Sequence, residues 1–424
     1  MSELTKVNDL DELFKEANRC LKCKVAKCQK ACPISTDIPT IMNLFLSGNE
    51  DQASKMLFEN NPLSAICSIV CPHENNCYGN CVLGVKNTPV AFYKLERYLS
   101  GKHLDDCQIA PPPKNGMKVA VIGAGPAGIS MSIFLAQKGF KVTLMDDQAR
   151  IGGVLRYGIP PFRLPQEKVD AFKKVLDSLG VIVKPNCHIG SNLLLEDMFI
   201  DGYDAIFLAV GTAKPNRLGL LGETLGHVHF AIDFLKSPSA YDLGKTVAVI
   251  GAGNVAMDVA RSALRQKGVE KVIVINNRRL EDITATKQEF ADATNEGAQF
   301  MHLTSVLRIT EKELVAVGVD AIESENGVIY EENMQARLNI QADTVVLAIG
   351  QGPASTLSEK AQITTNLRGL FVVDEKGMTN IPGVFAAGDV VSGPKTVVEA
   401  VAHTKKVAEQ LIKYCYENKK GQLQ

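Results

Sequence analysis

No stretch of this 424-residue chain approaches the roughly 18 uninterrupted apolar residues that a membrane-spanning helix needs, so no span is expected. Neither charge is in excess. Lys plus Arg number 46 against 47 Asp plus Glu, and a net charge of -1 makes neither nucleic acid nor an anionic membrane surface an expected partner. The opening segment MSELTKVNDLDELFKEANRC has acids where a secretory leader is apolar, which makes the cytoplasm the expected compartment. Low-complexity tracts are absent as well. What is present is a globular balance, 46% hydrophobic and 22% charged, in a length that allows about three domains. Of the 11 cysteines, only Cys107, Cys187 and Cys415 are scattered; the others fall between Cys20 and Cys81. In a reducing compartment such clustering points to metal rather than to a disulfide framework.

The texture changes once along the chain. Up to about residue 106 it is helical and interrupted by cysteine, with Leu10, Leu13, Phe14, Ala17 and Leu21 spaced to share one helix face. Asp37 followed by Pro39 predicts a second helix start, and the prolines of APPPKNG, 110–116, predict a linker. Beyond it, KVAVIGAG, KVTLMDD, DAIFLAVGT, TVAVIGAG, KVIVINN and DTVVLAIGQ are short β-branched runs, most of them separated by helical segments. Such runs suit strands of a mostly parallel sheet covered on both faces. The polar tail ENKKGQLQ is expected to fray.

Lys118–Gly128 and Thr246–Ala256 repeat one strand, glycine turn and helix start. In the first, Gly123, Gly125 and Gly128, with Pro126 and Ala127 between, form GxGxxG, and the next strand ends at Asp146. The first Gly makes a tight turn, the second admits a pyrophosphate, and the third packs the helix so that its N-terminus faces the phosphates; Asp146 then accepts from an adenosine ribose. The second turn has Gly251, Gly253, Asn254 and Val255 ahead of Ala256, and its next strand ends in Asn276 and Asn277 followed by Arg278 and Arg279. With arginine in place of a carboxylate, NADPH is slightly favoured over NADH; the bland alternative is that both arginines are solvated surface charges. A third segment, IPGVFAAGDV at 381–390, leads through Gly388 and Asp389 to a helix expected to begin near Lys395 or Thr396.

The clustered cysteines come in two sets, Cys20, Cys23, Cys28 and Cys32, then Cys67, Cys71, Cys77 and Cys81. A zinc site of four thiolates is the first competitor, but it leaves half of them unused. The spacing of the first set, two, then four, then three residues with Pro33 after Cys32, resembles an iron–sulfur run whose last cysteine serves a neighbouring cluster, and Cys71 also precedes a proline. His73 reads as a polar loop residue rather than a ligand.

With these motifs together, the chain resembles the two-dinucleotide-domain flavoprotein reductases and, more narrowly, the small flavin-containing subunit of bacterial glutamate synthase and its relatives, which include the electron-input part of dihydropyrimidine dehydrogenase. The resemblance implies an α/β fold with a helical iron–sulfur domain at 1–109, an FAD domain at 115–225 and 352–424, and an NAD(P)H domain inserted at 226–351. AVGT at 209–212 and AIGQ at 348–351, with Gly350, become the crossings between domains. Gly388 and Asp389 hold the flavin ribityl chain, and the following helix, with Thr396 at its start, points at the ring. Gly152 and Gly153, in a segment that also carries Arg163, run against the flavin. One [4Fe-4S] cluster takes Cys20, Cys23, Cys28 and Cys81, the other Cys32, Cys71, Cys77 and Glu96, leaving Cys67 out. Relatives have an aromatic and two basic residues where this chain has Asn276, Asn277 and Arg278, so one cation is missing unless Arg279 substitutes.

The chemistry implied is hydride transfer from NAD(P)H to FAD and single-electron release through the clusters, done by the cofactors without a catalytic acid or nucleophile. No close cysteine pair follows the flavin motifs, which leaves a dithiol relay without residues, and no segment remains for an FMN barrel of about 250 residues. A larger catalytic subunit in a hetero-oligomer is therefore the expected acceptor, of glutamate synthase type, with the dihydropyrimidine dehydrogenase type as rival. A zinc-stabilised nucleotide-binding module and a self-sufficient diaphorase are the other readings.

Overall fold

A computed structural model describes residues 10–105, 111–191, 193–325, 327–354 and 356–421. Cys107, the start of the linker and the expected edge at 109 lie outside the described residues. The chain divides into two compact units, one formed by Met1–Leu155, Pro161–Thr212 and Pro353–Gln424, the other by Arg156–Pro160 and Ala213–Gly352.

In the first unit, the helices Leu10–Asn18, Ile38–Leu46, Glu50–Asn60, Ser64–Val70 and Phe92–Asp105 precede the sheet. Asp37 caps the second of these, its carboxylate accepting the Thr40 N–H at 3.3 Å, with Pro39 in the first turn. Ile41, Met42 and Phe45 are buried beneath it, and Phe14 stacks on Phe45 at 4.5 Å. The face expected to run from Leu10 to Leu21 is shorter than its spacing suggests. Leu13 and Ala17 are buried, but the helix stops at Asn18 before the first cysteine, and Leu21 stands exposed.

The sheet of this unit orders its strands Val384–Ala386, Ala205–Leu208, Lys118–Ile122, Lys141–Met145 and Ile182–Lys184, all parallel. Val119, Ala120 and Val121 are fully buried, as continuous apolar runs require when both faces are covered. The helix Pro126–Ala136 packs on these strands and on the long helix Val397–Gly421.

The second unit repeats the plan, with strands Val228–Phe230, Thr344–Leu347, Thr246–Ile250, Lys271–Ile275 and Gln299–Met301 in the same spatial logic. An antiparallel sheet of Thr304–Ile309, Glu313–Ser324 and Gly327–Gln341 is added to it. Both sheets are Rossmann-like, with each glycine turn at the C-terminal end of a central strand, where open parallel sheets bind ligands.

Candidate functional site

The first glycine turn is built by close approach. A Cβ added to Gly123, whose φ is +99°, would stand 2.3 Å from the Ala209 carbonyl oxygen, and one on Gly128 would stand 1.7 Å from that of Gly123. Neither position admits another residue. Gly125 differs: the nearest atom to an added Cβ is the Gly153 Cα at 3.9 Å, so space remains over the N-terminus of the helix that Pro126 begins. The Gly152 N–H donates to the Ala124 carbonyl at 2.8 Å, which lays the Gly152–Gly153 segment against the turn. Asp146 is buried at the end of its strand; its carboxylate accepts the Ala124 N–H and, at 2.8 Å, the Gln148 N–H. Burial raises its pKa while those donors oppose the rise.

The terminal segment meets the same turn. Gly388 has φ +79°, and an added Cβ would lie 3.0 Å from the Ala127 Cβ; its N–H donates to His403 Nδ1 at 3.3 Å. Asp389 accepts the Lys395 N–H at 3.3 Å, and burial, reinforced by Glu399, pushes its carboxyl up to about 7. The helix begins at Val397, with Thr396 and Glu399 forming a reciprocal cap: Glu399 accepts from the Thr396 N–H at 3.0 Å and hydroxyl at 2.6 Å, while the Thr396 hydroxyl accepts the Glu399 N–H at 3.4 Å. The Thr212 hydroxyl, at the AVGT strand end, is buried without a hydrogen-bond partner among the described residues. Arg163 is half-buried after the glycine pair. A cleared phosphate position, a buried ribose acceptor and an orphaned hydroxyl together fit a dinucleotide such as FAD.

In the second unit, an added Cβ on Gly251 would stand 2.3 Å from the Ala348 carbonyl oxygen, the same approach as at Gly123. Gly253 faces Thr284, Val255 is partly exposed in the first helical turn, and Asn254 accepts the Thr286 N–H at 2.8 Å. Gly350, with φ +93°, sits against the Asn216 amide. Asn276 ends the strand buried, its Nδ2 3.0 Å from His302 Nδ1 and its Oδ1 accepting the Arg278 N–H. The two arginines part company beyond it. Arg279 pairs with Glu281, Asp282 and Glu323, whereas the Arg278 guanidinium lies 4.5 Å over the Tyr330 ring with no ion-pair partner among the described residues.

The cysteines gather in two places. Cys20, Cys23, Cys28 and Cys81 line one pocket backed by Val90 and Phe92, and Cys77 lines it too. Burial, with Cys81 and Cys20 adding, pushes the Cys28 thiol up to about 11. In the other group Cys77 feels Glu96, Cys71 and Cys32, and its thiol is pushed far up by burial. Cys71 accepts from the Asn76 amide at 3.1 Å and is pushed up to about 12, first by burial, then by Glu96, Cys32 and Glu399. Glu96 is buried, and desolvation against the pull of Arg97 takes its carboxyl up to about 8. Cys67 neighbours Cys71, Glu96 and Cys32 from a fully buried helix interior. His73 lies half-buried in a turn: it stacks on Tyr93 at 4.5 Å, and burial lowers it to about 4. Among the described residues no three His, Cys, Asp or Glu stand close enough together to hold a single metal ion. Two groups of soft sulfur donors are donor chemistry that suits iron–sulfur clusters.

Tyr330, Glu399, His403 and Asn76 are participants that sequence reasoning missed. Only Glu399 left a local signal, the T-x-x-E of a capping box.

Two Rossmann-like units with glycine turns, one carrying a cysteine-rich helical domain, define an NAD(P)H-dependent flavin oxidoreductase with iron–sulfur donors. The model of the pyridine nucleotide-disulphide oxidoreductase family matches residues 117–404, and the model described as dihydropyrimidine dehydrogenase domain II, 4Fe-4S cluster, matches residues 1–107. The chain belongs to that oxidoreductase family. It is 33% identical to the NAD-dependent dihydropyrimidine dehydrogenase subunit PreT of Escherichia coli O157:H7, over 96% of this chain and 97% of the relative. It is 32% identical to the glutamate synthase [NADPH] small chain of Azospirillum brasilense, over 94% and 88%. Among solved structures, Mycobacterium tuberculosis FprA in complex with NADPH shares the fold at a TM-score of 0.63, with 18% identity over 73% of this chain and 86% of that one. The iron–sulfur match does not favour the zinc-stabilised module. No helix of the described residues is long and apolar enough to cross a membrane.

Proposed function

We propose that this chain is the NAD(P)H-oxidising input subunit of a hetero-oligomer, delivering single electrons to a larger catalytic subunit of glutamate synthase type. The first glycine turn, Asp146, Gly152, Gly153 and the Gly388–Thr396 segment hold FAD; the second turn, with Gly350 and Arg278, holds the nicotinamide nucleotide. Cys20, Cys23, Cys28 and Cys81 ligate one [4Fe-4S] cluster, and Cys32, Cys71, Cys77 and Glu96 the other. When bound, the flavin supplies the exchange between a hydride donor and one-electron carriers.

The observation that carries this reading is Glu399. Its carboxylate caps the helix that follows the flavin segment, and both Asp389 in that segment and Cys71 in the second sulfur group feel its charge. One carboxylate thus lies within electrostatic reach of both proposed cofactor sites, inside one compact unit. Cys77 and Cys67 both feel Cys71, Cys32 and Glu96, and Glu96 rather than Cys67 is taken as the fourth ligand because the family resemblance puts it there. Arg278, stacked and without an ion-pair partner among the described residues, supports NADPH, while Arg279 is already neutralised.

Similarity to both a dihydropyrimidine dehydrogenase subunit and a glutamate synthase small chain supports the rival acceptor almost equally. Anaerobically prepared chain should carry about eight iron atoms with matching acid-labile sulfide, and its flavin should bleach on adding NAD(P)H. Zinc without sulfide overturns the reading. With the candidate partner subunits supplied in turn, oxidation of NAD(P)H driven by glutamine plus 2-oxoglutarate supports the first acceptor, and oxidation driven by uracil or thymine the second.

A further inference from the structure

We infer that the surface around Cys20, Cys23 and Cys28 is the docking face for an acidic protein that accepts one electron at a time. This rests on the function proposed above. The chain as a whole has a net charge of only -1, yet between Glu16 and Asp37 it carries Arg19, Lys22, Lys24, Lys27 and Lys30 and no acid. The second stretch bounding the same pocket, from Glu74 to Glu96, has Lys86 and Lys94 and again no acid. Lys24, Lys27 and Lys86 are exposed, and among the described residues none of them takes part in an ion pair. Between these cations stand apolar side chains that the fold does not cover: Leu21 is 60% exposed, Val25 63% and Val85 79%, with Val82 at 39%. Leu21 and Val82 also line the pocket that holds the cysteines.

An apolar centre rimmed by cations of one sign, over a redox site, fits a partner with acidic residues around its own centre. Complementary charge steers encounter and fixes the register of the two surfaces. Each NAD(P)H then becomes NAD(P)+ and a proton, and its two electrons reduce two acceptor molecules, one each. Lysines that merely offset the charge of a cluster would not require exposed valines and a leucine beside them.

The test uses the full holo chain with NAD(P)H as donor and three acceptors: an acidic rubredoxin, basic cytochrome c and ferricyanide. The KM for rubredoxin should rise about tenfold between about 20 and about 300 mM salt, as screening shortens the reach of the cations. The charge reversal Lys24→Glu/Lys27→Glu/Lys86→Glu should raise the low-salt KM for rubredoxin about tenfold, improve cytochrome c, and leave ferricyanide turnover and iron content within about twofold. Val25→Ser/Val85→Ser should weaken rubredoxin at every salt concentration. A rubredoxin KM unmoved by salt and by charge reversal overturns the docking face and leaves the lysines as compensation for cluster charge. Failure of ferricyanide reduction in the unaltered chain overturns the redox reading itself, and the docking face with it.

Discussion

The two glycine turns share a strand order and a first glycine pressed equally close to a carbonyl, yet they are held by different forces. After the first turn, the helix Pro126–Ala136 has no charged residue and is buried on nearly every side, between its sheet and the helix Val397–Gly421. After the second, the helix Asn254–Leu264 carries Asp258 and Arg261 into a buried position, and Arg261 reaches Glu289, Asp292 and Glu296. A helix covered on two faces by apolar elements stays neutral, whereas one covered by the acidic helix Lys287–Asn295 holds a cation. The strand-end residues follow suit. Asp146 turns back onto its own glycine turn, and Asn276 turns away toward His302.

The sharpest break in this parallel is the third position of each turn. Gly128→Val sets a side chain where even a Cβ meets a backbone oxygen at 1.7 Å. It should lower FAD affinity at least a hundredfold, about 3 kcal/mol, measured by flavin retention on dialysis. Ala256→Gly in the second turn should cost only about 1 kcal/mol of stability, with the nucleotide KM nearly unchanged. Comparable losses at both sites would mean the turns are packed alike.

The charge network distinguishes the units next. Arg261→Met removes the buried cation while Arg265 still pairs with Glu296, so the loss should be about 3 kcal/mol, at the low end for breaking a buried pair. Differential scanning calorimetry should show it on the transition of the nucleotide unit. Although burial opposes it, the two arginines hold Glu296 down to about 2, below the ordinary carboxylate range. A depressed carboxylate stabilises the fold above its unfolded pKa, and that contribution fades as pH falls from about 4.5 toward 2. Arg261→Met should therefore flatten the acid side of the stability profile.

Much of this architecture was legible because its causes are local. A glycine forced by a carbonyl, an acid at a strand end and a proline after a capping aspartate each show within a few residues. The grouping of Cys81 with Cys20, Cys23 and Cys28 has no local cause; the chain returns there only after the helices between have packed. Glu96 lies on a helix whose sequence reads as solvated, and its burial comes from neighbours far along the chain. Leu21 misled in the opposite direction, since its helical spacing continues past Asn18, where the helix ends. The ring beneath Arg278 is equally remote, brought by a long hairpin whose pairing runs from Glu313 opposite Gln341 to Ser324 opposite Gly327.

That ring frames the finest contrast, between neighbouring arginines. Arg279 is engaged by three carboxylates and offers little net charge to a 2′-phosphate, while Arg278 is pre-ordered over Tyr330 with no ion-pair partner among the described residues. Arg278→Ala should raise the KM for NADPH about tenfold, about 1.4 kcal/mol, and leave that for NADH within about twofold, because only the phosphate needs the cation. Tyr330→Leu should reproduce part of the loss by freeing the guanidinium, about 0.5–1 kcal/mol for an exposed cation–π contact. Arg279→Ala should instead expose Glu281, Asp282 and Glu323 and disfavour NADPH only through their repulsion, an effect that salt erases. If Arg279→Ala proves the more damaging at high salt, the assignment of the two arginines is reversed.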